Sequence, residues 1–320
     1  MTTQNWDAII IGGSAAGLSA AQALGRSLRR TLVIDSGQPR NRFAPHMHNV
    51  LGHDGRSPAD LTTLGRAEAV HYGVEFREGV VASVRDAGAT VELALESGEA
   101  LRARGIVLAT GISDELPEIE GLVAHWGTRV AHCPYCHGWE LRGERIGVIA
   151  TSPMSLHQLQ LVRQLSDRVV AFTNGLGALD RETERRLRAR GIELVPQAVA
   201  SVLSDEANGG RLTGVRTVDG REVALDAIFT AATPRPRVEA VASLALTRAA
   251  GPWGEVIEVD PTGRTSHARV WAAGNVVAPA AAVPRAMAAG ATAGAALNFA
   301  LVEEDFDLAV AKSGGAHGSE

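Results

Sequence analysis

The sequence predicts an α/β protein that contains two three-layer, Rossmann-like dinucleotide-binding domains. A strand, a glycine-rich turn, a helix and a second strand follow one another between Trp6 and Asp35. The same alternation of strand and helix begins again at Arg145. Two such starts in one chain of 320 residues indicate two domains with parallel sheets.

Hydrophobic period and turn residues predict each element in turn. The apolar run from Trp6 to Ile11 is a strand, and the helical pattern after the glycines runs through Ser27. The loop at 38–56 is longer than connections in compact domains usually are, which marks it as functional. Further strands are predicted at 31–34, 80–84, 90–95, 105–111, 146–150, 168–172, 255–259 and 270–273, and helices at 58–72, 153–165, 180–189 and 285–301, with a frayed tail after residue 307.

Charge and hydropathy narrow the classes of protein. The formal charge of −5 shows no excess of basic residues of the kind that binds a nucleic acid. No secretory signal precedes the first strand, so we expect a cytoplasmic protein. The apolar stretch from Ala286 to Val302 carries Gly290 and Gly294 at GxxxG spacing, but it is mostly alanine and glycine. We interpret it as a helix packed on its own protein, and we expect no membrane partner.

The first chemical motif lies between the first strand and helix. Gly12, Gly13, Ser14, Ala15, Ala16 and Gly17 form a GxGxxG pattern whose middle glycine is serine. Small residues there let backbone N–H groups approach a pyrophosphate at the helix N-terminus. Asp35 ends the next strand, where a carboxylate accepts hydrogen bonds from ribose hydroxyls. The alternative is a plain tight turn that binds no nucleotide.

The second motif is Cys133-Pro-Tyr-Cys136, which holds both cysteines of the chain. A structural disulfide across two residues would stabilise the fold very little, because it closes a very short loop and so hardly lowers the entropy of the unfolded chain. A zinc site from His132, the two cysteines and His137 remains an alternative, although structural zinc usually takes a second ligand pair from a distant segment. Redox chemistry is the favoured interpretation, because a CxxC pair exchanges two electrons by thiol–disulfide exchange.

His137 follows the cysteine pair directly. Its unperturbed pKa near ~6.5 suits proton transfer to and from thiols at neutral pH. The alternative is an ordinary surface histidine, and the sequence leaves open whether His137 or His132 is the base. We expect His137 to be catalytic because of its position.

Together, these residues resemble the low-molecular-weight thioredoxin reductase family of flavoproteins, from Trp6 to about Val302. In that family a CxxC-bearing nucleotide domain is inserted into an FAD domain, which then resumes with a strand and a Gly-Asp turn. Here that turn is Gly274-Asn275, so an amide replaces a carboxylate. The resemblance implies an FAD-binding domain at residues 1–115 and 242–320 and an inserted NADPH-type domain at residues 116–241.

The resemblance also implies the roles of individual residues. Cys136 would face the flavin, and Cys133 would exchange with the substrate. Asn49 in the long loop matches a flavin-contacting asparagine, and the turn from Leu108 to Gly111 serves FAD. The implied FAD-binding residues are Gly12, Ser14, Ala15, Ala16, Gly17, Asp35, Ser36, Asn49, Thr110, Gly111, Gly274, Asn275, Arg285 and Ala286.

The inserted domain departs from the family's NADPH-binding pattern. Its glycine motif would fall on the segment 150–155, where both glycines are replaced and Pro153 alters the turn. The strand that leads to an arginine cluster in the family is followed here by no arginine until Arg181. NADPH binding is therefore not expected.

A CPYCHG segment beside a lost NADPH motif is similar to the dithiol oxidases that close disulfides in gliotoxin-, holomycin- and romidepsin-type natural products. That similarity implies attack of a small-molecule dithiol on Cys133, with the second thiol deprotonated by His137. Cys136 would pass the electron pair to FAD, and O2 would reoxidise the flavin to give H2O2.

Two other functions stay open from the sequence. One is an NAD(P)H-dependent reductase of thioredoxin-like proteins, and the other is a non-catalytic flavoprotein redox sensor. The family resemblance also implies a homodimer.

Overall fold

The computed structural model describes residues 5–315 and divides the chain into two compact units. Among these residues, the first unit holds those up to Arg40, Ala59–Ser113 and those from Pro234 onward. The second unit holds Asn41–Pro58 and Asp114–Thr233. The first unit is thus built from segments on both sides of the second in the chain.

The first unit is centred on a seven-stranded sheet with the order β3-β2-β1-β6-β5-β4, in which β19 also pairs with β6. The strands β1, β2, β3, β6 and β19 pair in parallel, and β4 and β5 form an antiparallel edge. A separate hairpin, β17 and β18, follows later in the chain. The elements are β1 (Asn5–Ile11), α1 (Ala15–Arg26), β2 (Thr31–Asp35), α2 (Pro58–His71), β3 (Glu75–Glu78), β4 (Val81–Asp86), β5 (Val91–Leu95), β6 (Ala100–Leu108), β17 (Arg248–Gly251), β18 (Gly254–Ile257), β19 (Val270–Ala272) and α6 (Val283–Gly315).

Strand β1 shows why the first sheet is buried on both faces. Ala8 and Ile10 pack with α1 and α6, whereas Ile9 and Ile11 pack with β4 and β5 on the opposite face. Successive side chains of a strand point to opposite faces, so an unbroken apolar run is what a sheet between two layers requires.

The second unit repeats this plan with a parallel sheet of order β11-β10-β9-β15-β8 and an antiparallel meander of β12, β13 and β14. Helices α4 and α5 cover one face of the parallel sheet, and the meander covers the other. The elements are β8 (Val130–Ala131), α3 (Pro134–His137), β9 (Ile146–Ile149), α4 (Ser155–Leu165), β10 (Val169–Phe172), α5 (Arg181–Ala189), β11 (Glu193–Val195), β12 (Val199–Asp205), β13 (Arg211–Thr217), β14 (Glu222–Ala224) and β15 (Ala227–Thr230). Two short strands, β7 (Ile112–Glu115) and β16 (Thr233–Pro236), pair with each other where the chain passes between the units.

The predicted α/β class with two Rossmann-like domains is confirmed. The unit boundaries differ from the expected ones at three places, the smallest difference being the end at Ser113 rather than at residue 115. The chain returns to the first unit at Pro234 rather than at residue 242, because the short helix Glu239–Leu244 packs on β4, where Ser243 donates to the carbonyl of Val84. The segment Asn41–Pro58 groups with the second unit, where Phe43 lies against Gly127.

The expectation of a frayed tail after residue 307 is wrong as far as Gly315, because α6 continues to that residue. Ion pairs hold the helix beyond Leu301, since Glu304 and Asp305 both bind Arg104. The last five residues of the predicted tail, 316–320, lie outside the described residues.

Helix α6 is the one described helix that is long and apolar enough to cross a membrane by length and composition. The many small residues of α6 have a packing role inside the first unit, which also explains its apolar composition. A Cβ added at Gly294 would lie 2.7 Å from the carbonyl oxygen of Ala20, and one at Gly290 would overlap the carbonyl oxygen of Ala16. The GxxxG spacing thus packs α6 closely against α1, as the sequence predicted.

Candidate active site

The glycine turn between β1 and α1 depends on its glycines. Gly12 has a φ of +106°, and a Cβ added there would overlap the carbonyl oxygen of Ala109. A Cβ at Gly17 would overlap the carbonyl oxygen of Gly12. Ser14 has an extended backbone with a φ of −101°, so the middle position of the motif accepts a side chain. Ser14 makes no side-chain capping bond, which leaves the first turn of α1 open to an anionic ligand.

Asp35 lies directly beneath this turn. The backbone N–H of Gly13 donates a hydrogen bond of 3.0 Å to Asp35 Oδ1. A carboxylate offers about four lone-pair sites, so Asp35 can hold the turn and still accept from a ribose. Ser36 follows it and is exposed.

The turn after β19 meets the same end of α1. Gly274 has a φ of +80°, and a Cβ added there would lie 2.9 Å from the Cβ of Ala16 and 4.0 Å from that of Ala286. Asn275 Nδ2 donates to the carbonyl oxygens of Ala278 and Ala281 at 3.2 and 2.9 Å. An aspartate could not donate these bonds, which gives the amide at this position a structural reason.

Other expected cofactor residues lie at neighbouring loops of the first unit. Thr110 Oγ1 donates to the carbonyl oxygen of Arg237 at 2.6 Å, and Gly111 has a φ of +69°. Arg285 lies in the first turn of α6 and is exposed. The close-packed glycines, the uncapped helix start and the carboxylate of Asp35 fit the pyrophosphate and ribose of FAD.

The cysteine pair lies just after the edge strand β8 of the second unit. Cys133 and Cys136 form a disulfide with a Cα–Cα distance of 5.3 Å. Cys133 precedes the short helix α3, and its carbonyl oxygen accepts from the N–H groups of Cys136 and His137 at 3.1 and 3.2 Å. Pro134 at the first helical position suits this tight start. The side chain of Gln158 on α4 donates to the carbonyl oxygen of His132 at 2.7 Å, which fixes the backbone entering the pair.

His137 is a histidine in a poorly solvated position. Both of its ring nitrogens are buried, and neither has a hydrogen-bond partner among residues 5–315. Burial lowers the pKa of His137 below its ordinary value, and His48 adds to this shift. The negative charge of Glu140 and the nearby backbone of Cys133 oppose it. A neutral imidazole beside a disulfide can take a proton from a thiol. Within the described chain no cluster of three or more His, Cys, Asp or Glu side chains could hold a metal ion.

The long loop 41–58 contacts the segment of the cysteine pair, which the sequence reasoning did not predict. Asn49 Nδ2 donates to the carbonyl oxygen of Tyr135 at 2.9 Å, and the Asn49 N–H donates to Asp54 Oδ1 at 2.9 Å. His48 lies between two carboxylates, 3.3 Å from Asp54 and 3.4 Å from Glu140. The signals were the length of the loop and the position of Glu140 three residues after His137.

The segments after β9 and β10, where the sequence lacks the NADPH-binding pattern, lie in contact with each other. The N–H of Thr151, after β9, donates to Ser155 Oγ at 3.1 Å, and Ser155 is 2% exposed. Gly175, after β10, packs so closely that a Cβ added there would overlap the carbonyl oxygen of Ala150. The two loops that cradle a dinucleotide in such domains therefore contact each other at this edge of the sheet.

Two Rossmann-like domains, a glycine turn suited to a dinucleotide and a CxxC disulfide define an oxidoreductase that acts on thiols and disulfides. The chain belongs to the pyridine nucleotide-disulphide oxidoreductase family, whose model matches residues 6–293. The family implies that the protein binds a flavin. The family membership and the relatives confirm the predicted resemblance to the thioredoxin reductases.

The chain is similar to relatives over nearly its whole length. It is 34% identical to "Thioredoxin reductase tcpT" of Claviceps purpurea, covering 92% of this chain and 94% of that protein. It is 30% identical to "Thioredoxin reductase sirT" of Leptosphaeria maculans, covering 94% and 95%. Among solved structures it resembles that of HlmI with a TM-score of 0.92 and 38% identity, covering 98% of each chain.

Proposed function

We propose that this protein is an FAD-dependent dithiol oxidase that closes an intramolecular disulfide in a small-molecule dithiol. One observation carries the proposal. The backbone N–H of Thr151 is bonded to Ser155, and Gly175 packs against Ala150. Together with the missing glycines, these contacts support the loss of the NADPH site. The CxxC pair and its histidine remain in place. In an enzyme without nicotinamide, the thiol substrate would be the electron donor.

The residues of the second unit account for the thiol chemistry. A substrate thiolate attacks Cys133 Sγ, the bond between Cys133 and Cys136 breaks, and a mixed disulfide forms. His137 takes the proton of the second substrate thiol. That sulfur attacks the first, so the cyclic disulfide leaves and Cys133 is released as a thiolate.

Two further species, FAD and O2, complete the electron balance of the reaction. FAD, when bound, would accept the two electrons left on the cysteine pair, and O2 would be the final oxidant, giving H2O2. Dithiol and O2 thus give cyclic disulfide and H2O2, with two electrons and two protons transferred.

We also propose that the enzyme is cytoplasmic and a homodimer. Light scattering of the purified flavoprotein tests the dimer.

A second candidate is an NAD(P)H-dependent thioredoxin reductase-like enzyme. The names of the relatives favour it, because tcpT and sirT are both called thioredoxin reductases. It requires nicotinamide to bind without the usual glycines.

One anaerobic titration separates the two. The purified yellow protein receives NADPH first, then dithiothreitol, and finally air, while flavin absorbance is followed. The oxidase predicts bleaching by dithiothreitol only, recovery in air, and catalytic O2 uptake with excess dithiol. Bleaching by NADPH establishes the reductase instead, and a flavin that dithiols leave oxidised overturns the oxidase. Cys133→Ser is the control, because it keeps the flavin site and removes the attacked sulfur.

A further inference from the structure

The proton that His137 accepts has no direct exit. Both ring nitrogens are buried without a hydrogen-bond partner in the described part of the chain. In the oxidase cycle this histidine must lose its proton before the next dithiol reacts. A neighbouring acid–base group therefore has to receive it.

Glu140 is placed to be that group. It stands three residues after His137 in a run of consecutive helical turns, a spacing that brings side chains together on one face. Its charge acts on His137. The Glu140 side chain is 44% exposed, so its carboxylate is accessible to solvent.

His48 connects Glu140 to a second carboxylate. Its Nε2 lies 3.4 Å from Glu140 Oε1, and its Nδ1 lies 3.3 Å from Asp54 Oδ2. Ionised carboxylates only accept hydrogen bonds, so both ring nitrogens can donate at once only when His48 is protonated. The Asp54 side chain is 67% exposed and marks the solvent end of this chain of groups.

The backbone holds the arrangement in place. Asn49, next to His48, donates its N–H to Asp54 and its side-chain amide to the carbonyl oxygen of Tyr135. The loop that carries His48 is thereby tied to the helix that carries the redox pair. A freely moving loop would not keep a histidine between two carboxylates.

We propose that Glu140, His48 and Asp54 form the route by which the proton taken up by His137 leaves the redox site. This inference rests on the proposed dithiol oxidation. The proton passes from the substrate thiol to a His137 nitrogen, then to the Glu140 carboxylate, and then to His48 Nε2. His48 releases its Nδ1 proton towards Asp54 and water. Over a full turnover the two thiol protons equal the two consumed when O2 becomes H2O2.

His48→Gln and Glu140→Gln in the flavin-loaded protein test the route. Steady-state O2 uptake with dithiothreitol in weak buffer is expected to fall about 10-fold in each variant, since a positioned acid–base group is worth at least that much. Added imidazole is expected to restore each rate to within about 2-fold of wild type, because a small base replaces a missing shuttle. A purely structural defect would not respond to imidazole.

His46→Gln is the matched control. His46 lies in the same loop, but its Nδ1 contacts the carbonyl oxygen of Gly55 rather than a carboxylate. Its rate and its response to imidazole are expected to equal those of wild type. Variants that turn over like wild type in weak buffer, or losses that imidazole leaves unchanged, overturn the route. Wild-type flavin that dithiothreitol cannot bleach overturns the proposed function instead, so the two failures are distinct.

Discussion

The side-chain amide of Asn49 donates a hydrogen bond of 2.9 Å to the carbonyl oxygen of Tyr135, the residue between the two cysteines of the redox pair that precedes Cys136. Asn49 also has a φ of +61°, a left-handed conformation that few residues adopt without cost. Asn49 therefore determines the conformation of its own loop and also bonds that loop to the short helix α3, which carries Cys136 of the disulfide.

Replacing Asn49 separates these two roles. Asn49→Gly keeps the left-handed backbone and removes the bond to Tyr135, whereas Asn49→Ala loses the bond and adds backbone strain. We expect both variants to react more slowly with dithiothreitol, and the alanine variant to be less stable than the glycine variant by about 1 kcal/mol. Urea unfolding measures the difference in the free energy of unfolding. Equal stabilities would show that the backbone conformation costs nothing.

The two cysteines are expected to give different phenotypes. Cys136→Ser is expected to remove any thiolate-to-flavin charge-transfer absorbance, because the family resemblance implies that Cys136 is the sulfur that faces the flavin. Cys133→Ser is expected to leave the protein yellow and to abolish turnover. Visible spectra after reduction, with O2 uptake, test both. A charge-transfer band that persists in Cys136→Ser contradicts the assignment.

His137 sets the expected pH dependence. Burial lowers the pKa of His137 below its ordinary value of 6.5, so the neutral, proton-accepting form predominates at neutral pH. The rate of disulfide reduction by a dithiol should rise with pH through this lowered pKa and then be limited by other groups. His137→Ala is expected to lose about 100-fold at neutral pH, as for other general bases. Stopped-flow rates between pH 5 and 8, values spanning histidine titration, test this, and a loss of only a few-fold would exclude His137 as the base.

Gly290 tests the packing of α6 on α1. Helix propensity alone favours Gly290→Ala by about 1 kcal/mol. A Cβ there would overlap the carbonyl oxygen of Ala16, so we expect a net loss of about 1–3 kcal/mol and weaker flavin retention. Ala295→Met, on the exposed side of α6, should stay within about 0.5 kcal/mol of wild type. Thermal unfolding and bound flavin after gel filtration measure both effects. An unchanged or raised stability of Gly290→Ala would contradict the close contact.

Local patterns in the sequence predicted most of the fold. The apolar run of β1, the glycines that follow and the carboxylate of Asp35 are close in sequence, and period and turn chemistry identify them directly. The end of α6 was missed because distant ion partners, such as Arg104, hold it beyond Leu301. The spacing of apolar residues along the sequence carries no information about such ion pairs.

The candidate site was predicted less completely than the fold. The disulfide and His137 lie within one short motif, so spacing alone pointed to them. The contact between His48 and Glu140 joins two segments that are far apart in the chain. A single sequence holds no signal for such a pairing beyond the length of the loop.

The redox pair is attached to the edge of a sheet. Strand β8 is the last strand of the five-stranded sheet, one residue separates it from Cys133, and Gln158 holds that intervening residue. The second unit, which has a nucleotide-binding fold, thus also fixes the position of two sulfur atoms. Under the proposed function the loops after β9 and β10 need not bind phosphate, whereas losing a strand would displace the thiols. Sequences that carry the CxxC pair after the same edge strand should vary most after β9 and β10 and least along β8.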